Sequence, residues 1–96
     1  MGKDIDKTRK HVFISGRVQG VGFRAFTRRL AHQYGIKGWV RNLHDGKVEA
    51  VLSGKKKNVV EMLKKLQKGP SLSRVDNVEE RNEQFENQFS GFSIRY

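Results

Sequence analysis

The 96-residue chain contains no cysteine and no long apolar run. Without cysteine it has no disulfides and no thiolate ligands for a metal, which is compatible with the reducing cytoplasm where we expect the protein. No stretch of about 18 apolar residues occurs, so we expect no membrane-spanning helix. Residues 1–7 include four charged side chains and no apolar centre, so we expect no secretory signal there.

Acidic residues are scarce outside one short segment. The net charge is +10, and residues 1–75 hold 18 Lys and Arg against 5 Asp and Glu, whereas residues 76–88 are mainly acidic. A basic body favours anionic partners such as phosphate metabolites, nucleic acid or acidic membrane surfaces. Many small domains are this basic for solubility alone, so the net charge by itself does not indicate which of these partners the protein binds.

The apolar residues are few but periodic, which predicts a folded domain over residues 10–96 after a flexible tail over residues 1–9. Alternation of apolar and polar residues indicates strands, and apolar residues three and four positions apart indicate helices. We predict strands over residues 10–18, 36–42, 47–53 and 75–85, a helix over residues 23–34 and a short final strand around Phe92. A second helix is predicted to begin at residues 55–57, to have its apolar positions within residues 59–66 and to end at Gly69-Pro70. Gly54 is predicted to end the third strand.

This order of elements, βαββαβ, is typical of the ferredoxin-like α+β sandwich, an antiparallel sheet with two helices on one face. In that topology the first and second strands are parallel and the third lies between them. Their carboxyl ends therefore meet at one edge of the sheet, about 10 Å apart. The other face of the sheet is more open, and Phe13 and Trp39 need cover there, which the residues after Phe85 could supply.

The segment from Gly16 to Arg24 links the first strand to the first helix and has features of an anion site. The first amides of a helix have no internal acceptor, and Gly20 and Gly22 let the backbone approach a ligand closely. Arg24 adds a planar pair of donors suited to phosphate. A plain glycine turn is the simpler reading. The segment lacks the Gly-Lys-Ser/Thr sequence of the Walker-type motif and the third glycine of the dinucleotide-binding motif. It therefore favours a phosphate ligand over a nucleotide.

Asn42 ends the second predicted strand and lies at the same sheet edge as this loop. Its side-chain amide both donates and accepts, so it could hold and orient a water molecule beside a bound phosphoryl group. Asparagine is also common in turns before a hairpin, and a structural role alone is the alternative reading.

Two blocks of the sequence closely resemble the acylphosphatase family. They read Gly16-Arg17-Val18-Gln19-Gly20-Val21-Gly22-Phe23-Arg24 and Gly38-Trp39-Val40-Arg41-Asn42, the second continuing through Asp45-Gly46 to Val48-Glu49. The resemblance extends in order from His11 to Val78. It implies the ferredoxin-like fold and hydrolysis of the carboxyl-phosphate bond of acyl phosphates to a carboxylate and inorganic phosphate, without a metal or other cofactor.

The resemblance also implies roles for individual residues. The family's catalytic arginine and asparagine correspond to Arg24 and Asn42. Its phosphate-binding backbone corresponds to the amides of Gln19, Gly20, Val21, Gly22, Phe23 and Arg24. We expect a monomer that binds a small-molecule acyl phosphate, with no membrane partner and no specific nucleic acid.

Two other functions are compatible with the fold class. RNA-binding domains of this topology stack bases on exposed aromatic side chains of the two central strands. Here the third strand offers no outward aromatic residue, which argues against that reading. A regulatory module that binds acyl or carbamoyl phosphate without turnover is the second alternative, and the presence of both Arg24 and Asn42 argues against it.

Overall fold

Five strands and two helices are formed by residues 6–96, the part of the chain that the computed structural model describes. The strands are β1 (Lys7–Arg17), β2 (Lys37–Asn42), β3 (Val48–Lys55), β4 (Arg74–Glu83) and β5 (Phe92–Ile94), and the helices are α1 (Phe23–Tyr34) and α2 (Lys56–Lys68). The predicted order of elements is confirmed. Neither helix is long and apolar enough to cross a bilayer.

The sheet has the strand order β4-β1-β3-β2-β5. β3 runs antiparallel to both β1 and β2, so these two are parallel to each other, as predicted. The prediction of an antiparallel sheet is wrong at one edge, because β5 pairs parallel with β2. The reason is the course of the chain. β4 ends beside the amino ends of β1 and β2, so the chain crosses the sheet at that end and enters β5 in the same direction as β2.

Two strands are longer than their apolar patterns indicate. β1 begins at Lys7 instead of residue 10, and β3 continues through Gly54 because Thr8 pairs with Gly54 and Lys7 with Lys55. The tail predicted over residues 1–9 therefore includes three strand residues, and residues 1–5 lie outside the described part of the chain. These extensions are polar and depend on backbone pairing, which an apolar pattern does not register.

α2 buries the face that its spacing predicts, whereas the buried face of α1 is turned from the predicted one, because Phe26 and Tyr34 are only half-buried. α2 buries Val59, Met62, Leu63 and Leu66, and α1 buries Phe23, Thr27, Leu30 and Ala31. They pack against the alternate strand residues Val12, Ile14, Val40, Val48, Ala50 and Leu52. Burial of these side chains orients α1 so that its amino end lies beside the carboxyl ends of β1 and β2.

The opposite face of the sheet is covered largely by arginine side chains. The guanidinium carbons of Arg41 and Arg95 lie 5.4 and 4.6 Å from the ring centroid of Trp39, and that of Arg81 lies 4.7 Å from the ring of Phe13. Stacked guanidinium groups exclude water from an aromatic ring while their charge remains solvated. The segment after Phe85 supplies one of these covers, Arg95, and β2 and β4 supply the others.

His11 lies at the centre of an ion-pair network on this face. Its Nε2 is 2.6 Å from Glu49 Oε2 and its Nδ1 is 2.8 Å from Glu83 Oε2. Arg41 Nε donates to Glu49 at 2.6 Å, and Arg9 Nε donates to Glu83 at 2.8 Å. The network joins β1, β2, β3 and β4 across the face that no helix covers.

These contacts lower the pKa of both carboxyl groups. Burial raises the pKa of Glu49, but hydrogen bonds and charge from Arg41 and His11 outweigh it, and the net pKa is below the ordinary value. The hydrogen bond from His11 is the main cause of the lowered pKa of Glu83, which burial opposes in part. Both groups therefore bind a proton more weakly in the folded protein than in the unfolded chain.

We predict that Glu49→Gln lowers the free energy of unfolding by about 2 kcal/mol at pH 7, because it leaves charged donors without their acceptor. A lowered folded-state pKa stabilises the fold above the unfolded-state value, near 4.5, and this stabilisation is lost as the pH falls through the folded-state pKa. The difference from wild type should therefore shrink between pH 5 and pH 3 in urea titrations.

Glu61→Gln is the matched control, since Glu61 is solvent-exposed on α2 and, within residues 6–96, forms a salt bridge with Lys64 alone. This substitution should change the free energy of unfolding by less than about 0.5 kcal/mol both at pH 7 and at pH 3. A Glu49→Gln effect that stays constant down to pH 3 would contradict the assignment to this charge network.

Candidate active site

The loop of residues 18–22 joins the end of β1 to the start of α1 and leaves backbone N–H groups free. Gly20 and Gly22 have φ angles of 74° and 78°, in the left-handed region that glycine adopts most readily. Gly22 is the N-cap of α1 and has no side chain to cap the helix. The first hydrogen bond of the helix runs from Phe26 N to Gly22 O, at 3.0 Å.

The free amides all belong to one short stretch. Within residues 6–96, none of the backbone N–H groups of residues 19–24 donates to a protein acceptor. The helix adds the positive end of its dipole at the same place, and no acidic side chain lies in its first turn. The loop is therefore electrostatically prepared for an anion, as the sequence predicts.

Arg24 lies in the first turn of α1, beside these amides. Its guanidinium carbon is 4.9 Å from the ring centroid of Tyr96, so the terminal aromatic residue supports the planar group by stacking. Within the described residues, no carboxylate forms a salt bridge with Arg24. Its positive charge is thus available to a ligand.

Asn42 is the last residue of β2, at the same edge of the sheet. Its Oδ1 is buried and has no hydrogen-bond partner in the described part of the chain. A buried amide oxygen without a partner costs about 1–3 kcal/mol, which a folded protein tolerates where the group serves a ligand or a bound water. In the part of the chain that the structure describes, Asn42 Oδ1 is the only buried side-chain nitrogen or oxygen atom without a hydrogen-bond partner.

These groups surround one cavity of about 200 Å³. Its lining comes from the loop, the first turn of α1, the end of β2 and the carboxyl-terminal residues. The lining residues are Val18, Gly20, Gly22, Phe23, Arg24, Ala25, Asn42, Ile94 and Tyr96. The two side chains predicted from the sequence, Arg24 and Asn42, therefore line the same cavity. Of the six residues predicted to supply backbone amides, four line it, and Gln19 and Val21 do not.

Two contributions were absent from the sequence prediction. Ile94 and Tyr96 reach the cavity because β5 pairs with β2, and no motif marks that pairing. For Gln19, only the backbone amide was predicted to act. Its side chain donates from Nε2 to Leu43 O at 2.8 Å and to Lys47 O at 2.9 Å. A polar residue inside an otherwise apolar and glycine-rich loop is the only signal that could have suggested this role.

Within residues 6–96, no group of three or more His, Cys, Asp and Glu side chains is arranged to hold a metal ion.

On the face of the sheet that no helix covers, Trp39 is 9% exposed beneath two arginines and Phe13 is covered by a third. These rings do not form the exposed stacking platform on which RNA-binding domains of this topology depend. The site chemistry is therefore concentrated at the loop.

Comparison with known proteins identifies one family. The family model described as acylphosphatase matches residues 10–94. The chain is 51% identical over 92 residues to an acylphosphatase of Syntrophobacter fumaroxidans, covering 96% of this chain and 95% of that protein. It is also 51% identical over 90 residues to an acylphosphatase of Roseiflexus sp., covering 94% and 97%.

The structure agrees with these sequence matches. It superposes on the structure of an acylphosphatase from Coxiella burnetii with a TM-score of 0.92 and 35% sequence identity, covering 99% of this chain and 100% of that one. The two chains therefore share the same overall fold.

Proposed function

The chain belongs to the acylphosphatase family, and on that premise we propose that the cavity between α1 and the end of β2 is its active site. The activity of the enzyme is the hydrolysis of small acyl phosphates to a carboxylate and inorganic phosphate. In the proposed site, Arg24 and the amides of residues 19–24 bind the phosphoryl group, and Asn42 orients the attacking water. Asn42 carries this proposal, because it lines the same cavity as Arg24 and its buried Oδ1 has no hydrogen-bond partner in the described residues.

The phosphoryl group is held by donors that need little rearrangement. Four of the residues whose amides are free, Gly20, Gly22, Phe23 and Arg24, line the cavity at a helix end, and the guanidinium of Arg24 offers two parallel N–H groups. As the bond to the acyl oxygen breaks, charge spreads over the phosphoryl oxygens, and these donors stabilise that charge. The site is therefore suited to bind inorganic phosphate as product and to stabilise the transition state more strongly.

Asn42 contributes to the attack itself. Its Oδ1 accepts a hydrogen bond from the water and aims the water lone pair at phosphorus, opposite the acyl oxygen. A new phosphorus–oxygen bond forms, the bond to the acyl oxygen breaks, and the water proton passes to a phosphoryl oxygen. The carboxylate leaves with the bonding pair and needs no general acid, because its conjugate acid is already strong, with a pKa of about 4.

The enzyme needs no side chain that acts as a strong base. The residues that line the cavity in the described structure include no Asp, Glu or His. An acyl phosphate is an activated anhydride, so positioning a water and stabilising charge suffice for rapid hydrolysis. Tyr96 at the cavity mouth is 96% exposed, and the acyl group therefore points toward solvent, where a range of small acyl groups can fit.

All the groups in this mechanism come from one chain, so we propose that the enzyme acts as a monomer. A chain without cysteine is compatible with the reducing cytoplasm, where we propose that it acts.

We predict that Arg24→Ala lowers kcat/KM for benzoyl phosphate by about a hundred- to a thousandfold, because it removes a charged donor aimed at the transition state. Inhibition by inorganic phosphate should weaken as well, since Arg24 also contacts the ground state. Arg28→Ala, one turn further along α1 and solvent-exposed, is the control and should retain wild-type kinetics. Wild-type phosphate inhibition in Arg24→Ala would refute the proposed phosphate contact.

We predict that Asn42→Ala lowers kcat for benzoyl phosphate by about a hundredfold while the inhibition constant of inorganic phosphate changes less than threefold. The expected split arises because Asn42 contacts the water and the other groups contact the phosphoryl oxygens. Asn77→Ala, at an exposed position of β4, should have no effect on either quantity. An Asn42→Ala enzyme with full kcat would exclude the water-orienting role.

We also predict that hydrolysis proceeds without a metal ion, because Arg24 and the free amides supply the positive charge that a metal would otherwise provide. Dialysis against EDTA, followed by assay in metal-free buffer, should leave kcat unchanged. Recovery of lost activity on adding Mg²⁺ or Zn²⁺ would contradict this prediction.

A further inference from the structure

The sheet does not itself hold the loop of residues 18–22 against the hairpin that carries Asn42. The ladder between β1 and β3 ends where Ile14 pairs with Val48. Beyond that point, from Ser15 to Arg17, β1 pairs only with β4, on its other side. The loop that follows β1 and the hairpin of residues 43–47 that follows β2 therefore face each other without strand pairing between them.

The side chain of Gln19 closes this gap. Its Nε2 donates to Leu43 O at 2.8 Å and to Lys47 O at 2.9 Å, and Gln19 is partly buried. Within residues 6–96, these are the only hydrogen bonds that join the loop to the hairpin. One amide group thus replaces the ladder that the geometry of the sheet cannot provide at this end.

The two acceptors lie at the base of the hairpin, beside the proposed water-holding residue. Leu43 directly follows Asn42, and Lys47 directly precedes Val48, which is the strand partner of Asn42. Leu43 N also donates to Lys47 O at 2.9 Å, so the two carbonyl groups belong to one closed turn. A shift of either carbonyl relative to the loop would move the Asn42 side chain relative to the phosphate-binding amides.

We propose that Gln19 is a positioning residue, whose side chain sets the distance between Asn42 and the phosphate-binding loop. The inference rests on the proposed function, since it requires Asn42 to orient the water. The NH₂ group of a primary amide supplies two N–H donors from one atom, which matches two carbonyl acceptors. A carboxylate or thioether of similar length cannot donate, so it can preserve the shape of the side chain but not the link.

Loss of the link has a specific expected consequence. The amides of the loop and Arg24 belong to the same helix end, so their arrangement around phosphate persists without the Gln19 side chain. Asn42 belongs to the other element, and its position relative to the phosphoryl group becomes less defined. A misplacement of about 1 Å can cost up to a hundredfold in rate, so turnover falls while phosphate binding does not.

The test is Gln19→Met, which keeps the length of the side chain and removes both donors, with benzoyl phosphate as substrate. We expect kcat to fall by about tenfold or more and the inhibition constant of inorganic phosphate to change less than threefold. Gln19→Glu should lose at least as much turnover, because its carboxylate faces two carbonyl oxygens. Gln67→Met, on the exposed side of α2, makes the same chemical change away from the site and should behave as wild type.

A double-mutant cycle with Asn42→Ala separates positioning from a general structural effect. If Gln19 acts through Asn42, Gln19→Met lowers kcat tenfold or more in the wild-type enzyme but less than about threefold in the Asn42→Ala enzyme. An equal loss in both backgrounds overturns the inference and leaves the proposed function intact. Full activity of Asn42→Ala alone overturns the water-orienting role, and this inference with it.

Two further outcomes would also overturn the inference. If phosphate inhibition weakens in proportion to kcat, the side chain organises the loop and not Asn42. If Gln19→Met does not fold, or keeps wild-type kcat in its folded fraction, the two hydrogen bonds serve stability alone.

Discussion

The active-site geometry depends on one feature of the sheet: an antiparallel strand, β3, lies between two parallel strands, β1 and β2. The carboxyl ends of β1 and β2 therefore meet at the same edge but two strand spacings apart, about 10 Å. That gap is wide enough for a phosphoryl group and a water, and narrow enough for Arg24 and Asn42 to reach them from opposite sides. If β1 and β2 were adjacent parallel strands, no room would remain between their ends for a phosphoryl group and a water. If they were antiparallel to each other, Arg24 and Asn42 would lie at opposite ends of the strands.

The same arrangement explains why the site has polar groups that the fold does not satisfy. The amides of Phe23 and Arg24 are free because α1 begins at Phe23 without a capping side chain, and those of residues 19–22 belong to the loop before it. Asn42 Oδ1 is buried without a hydrogen-bond partner in the described residues. Each unsatisfied group costs stability, and the rest of the molecule offsets this cost through the apolar core between sheet and helices and the charge network around His11. The proposed site is therefore preorganised for an anion and a water before either binds.

The strong positive charge of the chain has more than one use. Several arginines cover aromatic rings or pair with carboxylates on the open face of the sheet, so part of the net charge of +10 is structural. Arg24 differs from these because its partner is the ring of Tyr96 and not a carboxylate. A basic surface also attracts anionic substrates, and only Arg24 places such a charge beside the free amides.

By itself the sequence determined the element order, the buried face of α2 and the candidate residues Arg24 and Asn42. These follow from local periodicity and from two compact motifs, both of which are properties of residues near one another in the chain. Only the tertiary structure decided the polar extensions at Lys7 and Gly54, the parallel β5 and the contributions of Ile94 and Tyr96. The hydrogen bonds of Gln19 were also decided by the tertiary structure. They connect Gln19 to Leu43 and Lys47, which lie 24 and 28 positions further along the chain, through backbone carbonyl groups that every residue has and that no sequence pattern marks.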